Sequence, residues 1–388
     1  MPWLINETAA KNLREYKYVG ADNSLLYKIA LSPFAQFMVD YFVPTWMAPN
    51  MITLIGLLVE IAAVAIVTIY CPQFAGDDET TPRWIYLVCA ASLLIYQTLD
   101  NMDGKQARKT GSSSPLGLIF DHGCDAVNAM FGACLMCTLF SVPSSHTTAI
   151  LCAISATSVP FYFATWEEYY VHKLILPWFN GPSEGVFGGV VCSIMTFFLG
   201  PQWWHQTAFS IPFYMFPSLF CVFGWTITII AQTLNTCRHV TGKGQTIWRP
   251  LRDLIPFAYL LFFGISWVYH TPELIENHPQ MVIFLLFTLL AESEVALMLC
   301  HTTGMTYSPW RPLLFPMALL WANSALLPSP MVGEKAALVV YLAFAVVYFS
   351  VFVCKIVQEV RDSLGIFAFS IKPRTLPRDE DDKMKKAN

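Results

Sequence analysis

Ten apolar runs, each close to the roughly 20 residues that a helix needs to cross a bilayer, dominate this sequence of 388 residues. Tryptophans lie at or near several run ends, as in the aromatic belts of membrane proteins. Composition agrees, because 55% of the residues are hydrophobic, only 13% are charged and the mean hydropathy is +0.49. The sequence therefore predicts an all-α, polytopic integral membrane protein with about ten transmembrane helices. The predicted spans are 51–70, 84–100, 115–141, 148–172, 186–202, 209–233, 253–270, 280–300, 311–328 and 336–358.

The uneven distribution of lysine and arginine over the predicted loops indicates an orientation. If the amino terminus lies in the cytosol, Arg83 and Lys335 are the only two of the 23 basic residues on the opposite side. We therefore expect a multi-pass protein with both termini in the cytosol. The loop that carries Lys105 and Arg108 would then also be cytosolic.

Two segments outside the spans carry their own predictions. Residues 30–43 form an amphipathic pattern that ends at Pro44, which predicts an N-terminal helix lying in the membrane interface. Residues 372–388 have mixed charge and few apolar side chains, which predicts a short disordered tail.

Four aspartates stand out because carboxylates are costly at membrane depth and by default indicate function. Asp100 and Asp103 are three residues apart, and Asp121 and Asp125 are four apart, so each pair lies on one helical face. Two such faces turned toward each other would form a cage of like charges, which needs cations, Mg²⁺ first. An ion or proton pathway is the alternative, but transporters usually distribute such sites over two repeats.

The residues around the aspartates favour phosphoryl chemistry. Gly104 and Gly117 leave room for close approach to the backbone, and Arg108, one turn beyond Gly104, suits phosphate oxygens. Two metal ions about 3.5–4 Å apart would stabilise the oxygens of a phosphoryl displacement. The pattern therefore predicts attack of an alcohol on a pyrophosphate, with a nearby carboxylate as the base.

The pattern from Asp100 to Asp125 resembles the signature of the CDP-alcohol phosphotransferase family (class I) at every defined position. Residues 16–18, 44–53, 165–169 and 180–185 further resemble the eukaryotic choline/ethanolamine phosphotransferases of that family. The resemblance is strong over most of residues 10–185 and rests on hydropathy in the last four helices. It implies transfer of phosphocholine or phosphoethanolamine, or both, from CDP-choline or CDP-ethanolamine to diacylglycerol. The products would be phosphatidylcholine or phosphatidylethanolamine, and CMP.

The resemblance also implies roles for individual residues. Asp100, Asp103 and Asp121 are expected to bind two ions of Mg²⁺ or Mn²⁺, and Asp125 to act as the base and to contact metal as well. Six residues are expected to contact the CDP-alcohol, with interfacial capping as the alternative for the first two. They are Asn50, Thr53, Gly104, Ala107, Arg108 and Gly117.

Five more positions bear on selectivity. Glu167, Glu168 and Glu184 are expected to bind the positive head group or its metals, with solvated loop charges as the alternative. His122 is expected to give a supporting hydrogen bond rather than to bind metal. Leu118 stands where this branch usually has a glutamate, so the sequence does not choose between choline and ethanolamine.

The resemblance finally implies an organisation and a location. Residues 1–50 would form the cytosolic N-terminal segment and 51–233 the catalytic helices. Residues 234–358 would form the C-terminal helices and 359–388 the cytosolic tail. We expect the endoplasmic reticulum membrane, with the Golgi as alternative, a homodimer and no nucleic-acid partner. Another CDP-alcohol or lipid acceptor remains the alternative within the family.

Overall fold

A computed structural model describes residues 4–76 and 80–371, and these residues are mostly helical. Each of the ten predicted spans overlaps one or more helices. By length and composition, eight helices of the described residues can cross a membrane: Pro49–Tyr70, Trp84–Thr110, Thr147–Val171, Gly181–Leu199, Met215–Gly242, Trp248–His270, Pro279–Thr303 and Glu334–Leu364. The other two predicted spans correspond to Pro115–Leu139 and the shorter apolar helix Pro312–Ala325. The prediction of an all-α polytopic membrane protein is confirmed.

The helices are numbered in chain order. They are α1 (Glu7–Glu15), α2 (Ser32–Tyr41), α3 (Pro49–Tyr70), α4 (Trp84–Thr110), α5 (Pro115–Leu139), α6 (Thr147–Val171), α7 (Val186–Leu199), α8 (Met215–Gly242), α9 (Trp248–Arg252), α10 (Ile255–Tyr259), α11 (Ile265–His270), α12 (Pro272–Asn277), α13 (Pro279–Thr303), α14 (Phe315–Ala325) and α15 (Glu334–Leu364). Helical turns of other types extend several of them: Tyr27–Leu31, Gly181–Gly185, Pro201–His205, Leu260–Gly264 and Pro312–Leu314. Strand β1 (Gly20–Asp22) pairs in parallel with β2 (Leu174–Leu176), and β3 (Thr207–Ala208) pairs antiparallel with β4 (Ile211–Pro212).

The predicted amphipathic helix is present as the turn Tyr27–Leu31 followed by α2. Its buried side packs against α4, where Lys105 Nζ donates to Ser32 Oγ at 2.7 Å and Lys109 Nζ donates to the Val39 carbonyl at 2.6 Å. The opposite side exposes Ile29, Phe34, Phe37, Tyr41 and Phe42. An exposed apolar face suits a helix in the membrane interface.

A short connection sets α4 and α5 side by side. Gly111 ends α4 in a left-handed conformation, with φ at 63°, which glycine adopts without strain. Ser114 caps α5 by accepting a hydrogen bond from the Gly117 amide at 3.2 Å, and Pro115 occupies the first turn. The last turns of α4 therefore lie next to the first turns of α5, and these turns carry the four aspartates.

The C-terminal helices pack directly on this pair. In α13, 89% of the apolar stretch is buried inside the protein, against 6% in α8, so α13 is a central helix and α8 lies at the periphery. A side chain at Gly123 of α5 would contact Val295 of α13, with 3.6 Å between the added Cβ and Val295 Cγ2. The segment boundaries 50/51, 233/234 and 358/359 remain predictions, and α8 runs through residue 233 to Gly242. The predicted disordered tail lies outside the described residues.

Arg311 and Glu292 form a buried ion pair that ties the start of the α14 region to α13. Arg311 Nε donates to Glu292 Oε2 at 2.9 Å, and a second guanidinium nitrogen donates to Glu292 Oε1. The Glu292 side chain is fully buried and that of Arg311 is mostly buried. Removing one partner would leave a buried charge without compensation, which costs far more than the loss of an exposed pair.

The Arg311→Ala variant is therefore expected to lower the free energy of unfolding by roughly 3–5 kcal/mol. Thermal unfolding in detergent measures the change. Arg361→Ala is the matched control, because Arg361 pairs with Asp362 where both side chains are partly exposed. Its expected cost is below about 1 kcal/mol. Equal melting shifts for the two variants would contradict the role of burial.

Candidate functional site

Three of the four predicted carboxylates converge. Asp100 of α4 and Asp121 and Asp125 of α5 each place one carboxylate oxygen so that the three atoms lie within 4.8 Å of one another. All three side chains are partly buried, and Asp121 Oδ1 is buried without a hydrogen-bond partner among the described residues. Like charges this close repel strongly unless a cation or protons compensate them. A cluster of oxygen ligands with an unsatisfied buried oxygen fits a hard divalent cation.

Asp103 lies beside this cluster rather than within it. Its Oδ2 accepts a hydrogen bond from Thr53 Oγ1 of α3 at 2.5 Å, and its carboxyl interacts with that of Asp121. Through Asp121, Asp103 joins the three converging carboxylates, and the four aspartates form one group.

Tyr96 belongs to the site, although it lies outside the aspartate pattern from Asp100 to Asp125. It is buried in α4, one turn before Asp100, and its hydroxyl donates to Asp125 Oδ1 at 2.7 Å. The spacing of four residues from Asp100 was the available signal, because it places both side chains on one helical face. A tyrosine in an apolar run is more often read as core packing, which is why the pattern did not single it out.

A row of polar side chains continues from the aspartates to the N-terminal segment. His122 Nδ1 lies 3.8 Å from Asp121 Oδ2, and His122 Nε2 lies 3.6 Å from Glu168 Oε2. The other Glu168 oxygen lies 3.7 Å from His301 Nε2, and the Tyr16 hydroxyl lies 2.8 Å from that same nitrogen. Burial, and then the nearby Glu168 carboxylate, raise the pKa of Tyr16 well above its usual range, so its hydroxyl keeps its proton.

The structure separates the three glutamates that the sequence grouped. Glu168 is 1% exposed and lies between His122 and His301, so it is not a solvated loop charge. Glu167 instead accepts a hydrogen bond from Asn235 Nδ2 of α8 at 2.5 Å. The Glu184 carboxylate accepts from Ser24 Oγ at 2.5 Å, and also from the Leu26 and Asn180 amides. It thereby holds the segment before α2 to the turn before α7.

The predicted nucleotide-contacting residues surround the same helix ends. Asn50, at the start of α3, is buried, and its Oδ1 would lie 3.7 Å from a Cβ added at Gly117. Arg108 is exposed, and its Nη1 would lie 3.5 Å from a Cβ added at Gly104, so the guanidinium lies next to that glycine. Ala107 is partly buried on the same helix. The Arg108 guanidinium therefore lies beside Gly104, and the Asn50 amide lies beside Gly117.

Leu118 packs against an apolar cluster. The cluster is formed by α1 and the residues before it, α5, α13 and α15, and its buried members include Ile5, Leu13 and Val360. The branch usually has a glutamate at this position. The apolar surroundings give Leu118 a packing role in this chain.

Fold and site together define a polytopic helical membrane protein with a buried carboxylate cluster that can hold a metal ion. A family model described as CDP-alcohol phosphatidyltransferase matches residues 46–236. Choline/ethanolaminephosphotransferases 1 and 2 of Arabidopsis thaliana are 36% and 34% identical to this chain, each aligned over 92% of it and 96% of the relative. Choline/ethanolaminephosphotransferase 1 of Saccharomyces cerevisiae is 38% identical over 54% of this chain and 53% of its own length.

The chain belongs to the CDP-alcohol phosphatidyltransferase family and is an enzyme of that type. The family predicted from the aspartate pattern is thereby confirmed.

Tyr96→Phe tests whether the tyrosine hydroxyl supports Asp125. Loss of a hydrogen bond to a charged group is expected to lower the turnover number roughly 10- to 100-fold. Steady-state kinetics with the purified enzyme measure this. Tyr70→Phe is the control, because Tyr70 lies at the far end of α3 and contacts Trp84 through its ring. Indistinguishable turnover numbers for the two variants would contradict the role of Tyr96.

Proposed function

We propose that this protein transfers phosphocholine, phosphoethanolamine or both from the CDP-alcohol to diacylglycerol, releasing CMP. The observation that carries the proposal is the convergence of Asp100, Asp121 and Asp125 within 4.8 Å. The family match and the relatives named choline/ethanolaminephosphotransferases also support the proposal.

The proposal also covers location, oligomeric state and orientation. The protein would lie in the endoplasmic reticulum or Golgi membrane as a homodimer, with its active site and both termini facing the cytosol. A soluble nucleotide would then meet a lipid acceptor at the end of the bundle that carries the aspartates.

The proposed metals are two ions of Mg²⁺ or Mn²⁺. Asp100, Asp121 and Asp125 would hold one ion, and the position of Asp121 next to Asp103 suits a shared ligand for a second. The oxygen-only donor set matches the preference of these hard cations. When bound, the ions would supply positive charge to the pyrophosphate oxygens.

The proposed reaction forms one P–O bond and breaks another. The diacylglycerol hydroxyl oxygen bonds to the phosphorus that carries the aminoalcohol. The bond from that phosphorus to the bridging oxygen breaks, and CMP leaves with the electron pair. Arg108 is proposed to bind phosphate oxygens, since its exposed guanidinium lies beside Gly104. Gly104, Ala107 and Gly117 are proposed to leave room for the nucleotide.

The hydroxyl proton needs an acceptor, and two residues qualify. Asp125 is the base that the family resemblance implies, and the Tyr96 hydroxyl donates a hydrogen bond to one of its oxygens. His122 is the second candidate, because Glu168 lies beside its Nε2 and its Nδ1 is buried without a hydrogen-bond partner among the described residues. A carboxylate next to an imidazole orients the ring and favours its protonated form.

The three glutamates receive different roles in this proposal. Glu168 is proposed to orient the His122 ring, whose other nitrogen lies near Asp121. Glu167 and Glu184 bind protein groups on α8 and before α2, so we assign them to positioning of those segments rather than to the head group.

CMP release from radiolabelled CDP-choline and CDP-ethanolamine tests the proposal. The purified protein in detergent is expected to release CMP only when diacylglycerol and a divalent cation are both present. An ion-coupled transporter would need a sealed compartment and would release no CMP. Release that requires a different CDP-alcohol or lipid acceptor would refute the proposed substrates within the same family.

The pH–rate profile of His122→Asn separates the candidate bases. Asp125→Asn is expected to abolish turnover in either case, because Asp125 is also a proposed metal ligand. If Asp125 is the base, His122→Asn retains part of the turnover and keeps the acidic limb of the pH–rate profile. If His122 is the base, His122→Asn removes the acidic limb of the pH–rate profile, because the imidazole must be neutral to accept a proton. Melting temperatures of both variants control for folding. Full activity of Asp125→Asn would exclude Asp125 as base.

A further inference from the structure

The chain turns back on itself after the last transmembrane helix. Gly365 ends α15 in a left-handed conformation with φ at 65°, its amide donates to the Asp362 carbonyl at 3.3 Å, and the Ile366 amide donates to the Arg361 carbonyl at 3.2 Å. This is the hydrogen-bond pattern of a glycine-capped helix end. The segment 366–369 therefore does not continue away from the bundle but runs back over the beginnings of α3 and α5.

The first contact of this C-terminal segment is with Asn50. Asn50 Nδ2 donates to the Ala368 carbonyl at 2.9 Å, across 318 positions of sequence. Because Nδ2 is held there, the amide orientation is fixed and Oδ1 lies near Gly117. One turn after Asn50, Thr53 donates to Asp103. The Ala368 carbonyl thus fixes a buried amide at the edge of the aspartate group.

The second contact is between two aromatic rings. Phe369 packs edge-on against Phe120, with ring centroids 5.5 Å apart and planes at 83°. Phe120 directly precedes Asp121, one of the three converging carboxylates. Phe369 itself is 45% exposed, so one side of its ring covers Phe120 and the other side faces outward.

The C-terminal segment is anchored well enough to form a wall. Ile366 and Ala368 pack against the apolar cluster that also holds Leu118. Close by, Glu359 of α15 accepts hydrogen bonds from the Leu4 and Ile5 amides at 2.8 and 3.0 Å, which joins the two terminal regions. Apart from Leu118, these residues lie outside the stretch 46–236 that the family model matches.

We propose that Ala368 and Phe369 are positioning residues for the CDP-alcohol, so that the C-terminal segment forms the outer wall of the nucleotide side of the site. Ala368 fixes Asn50, and Phe369 fixes Phe120 and thereby the start of α5. The inference rests on the proposed function, because it assigns the wall to the same substrate. Diacylglycerol enters from the bilayer and does not depend on this wall.

The test compares Phe369→Ala with Phe367→Ala in the full-length purified enzyme. Both phenylalanines are 45% exposed, and among the described residues only Phe369 has a ring contact with Phe120. Phe369→Ala is expected to raise KM for the CDP-alcohol roughly two- to tenfold, the factor that corresponds to loss of one aromatic pair. The KM for diacylglycerol and the melting temperature stay unchanged, and Phe369→Tyr restores the wild-type KM.

Each other outcome overturns the inference. Equal KM values in Phe369→Ala and Phe367→Ala would show that the ring contact has no role in nucleotide binding. Parallel changes in both KM values with a lower melting temperature would show a purely structural role. A higher turnover number at unchanged KM would show that the segment inhibits the enzyme. If the wild type itself does not release CMP, the proposed function fails, which is distinct from a failure confined to Phe369.

Discussion

Mutual repulsion among partly buried carboxylates is the constraint on which the rest of this structure depends. Asp100, Asp121 and Asp125 would not stay within 4.8 Å of one another in an apolar bundle without compensation. The fold brings them together through helix spacing and through the short Gly111–Ser114 connection between α4 and α5. A bound divalent cation would compensate the repulsion among these carboxylates. Metal affinity therefore depends on how closely the helices hold the three carboxylates together.

The surrounding helices hold this arrangement from several sides. The Thr53 hydroxyl of α3 donates a hydrogen bond to Asp103, and the Tyr96 hydroxyl of α4 donates one to Asp125. The Glu168 carboxylate lies near both His122 and His301 of α13, and so connects the aspartate group to that helix. The C-terminal helices are therefore part of the site's support, although the family model ends at residue 236. A site built on rigid helices keeps its ligands in place more accurately than one built on loops.

The aspartate group and the helical architecture could be predicted from the sequence, because both depend on local periodicity. Spacing of three or four residues places side chains on one helical face wherever the helix lies. The contacts of Glu168 with His301 and of Asn50 with Ala368 could not be predicted this way, since they join residues far apart in sequence. The partners of Glu184 show the same limit, because Ser24 and the Leu26 amide are also far from it in sequence.

Direct titration of Mn²⁺ into the purified protein, followed by electron paramagnetic resonance, tests the central claim without relying on catalysis. The account predicts saturable binding to the wild type that Mg²⁺ displaces. It also predicts that Asp121→Ala loses this binding while Glu184→Ala, which changes a carboxylate outside the cluster, retains it. Mn²⁺ binding of equal strength in wild type and Asp121→Ala would contradict the account.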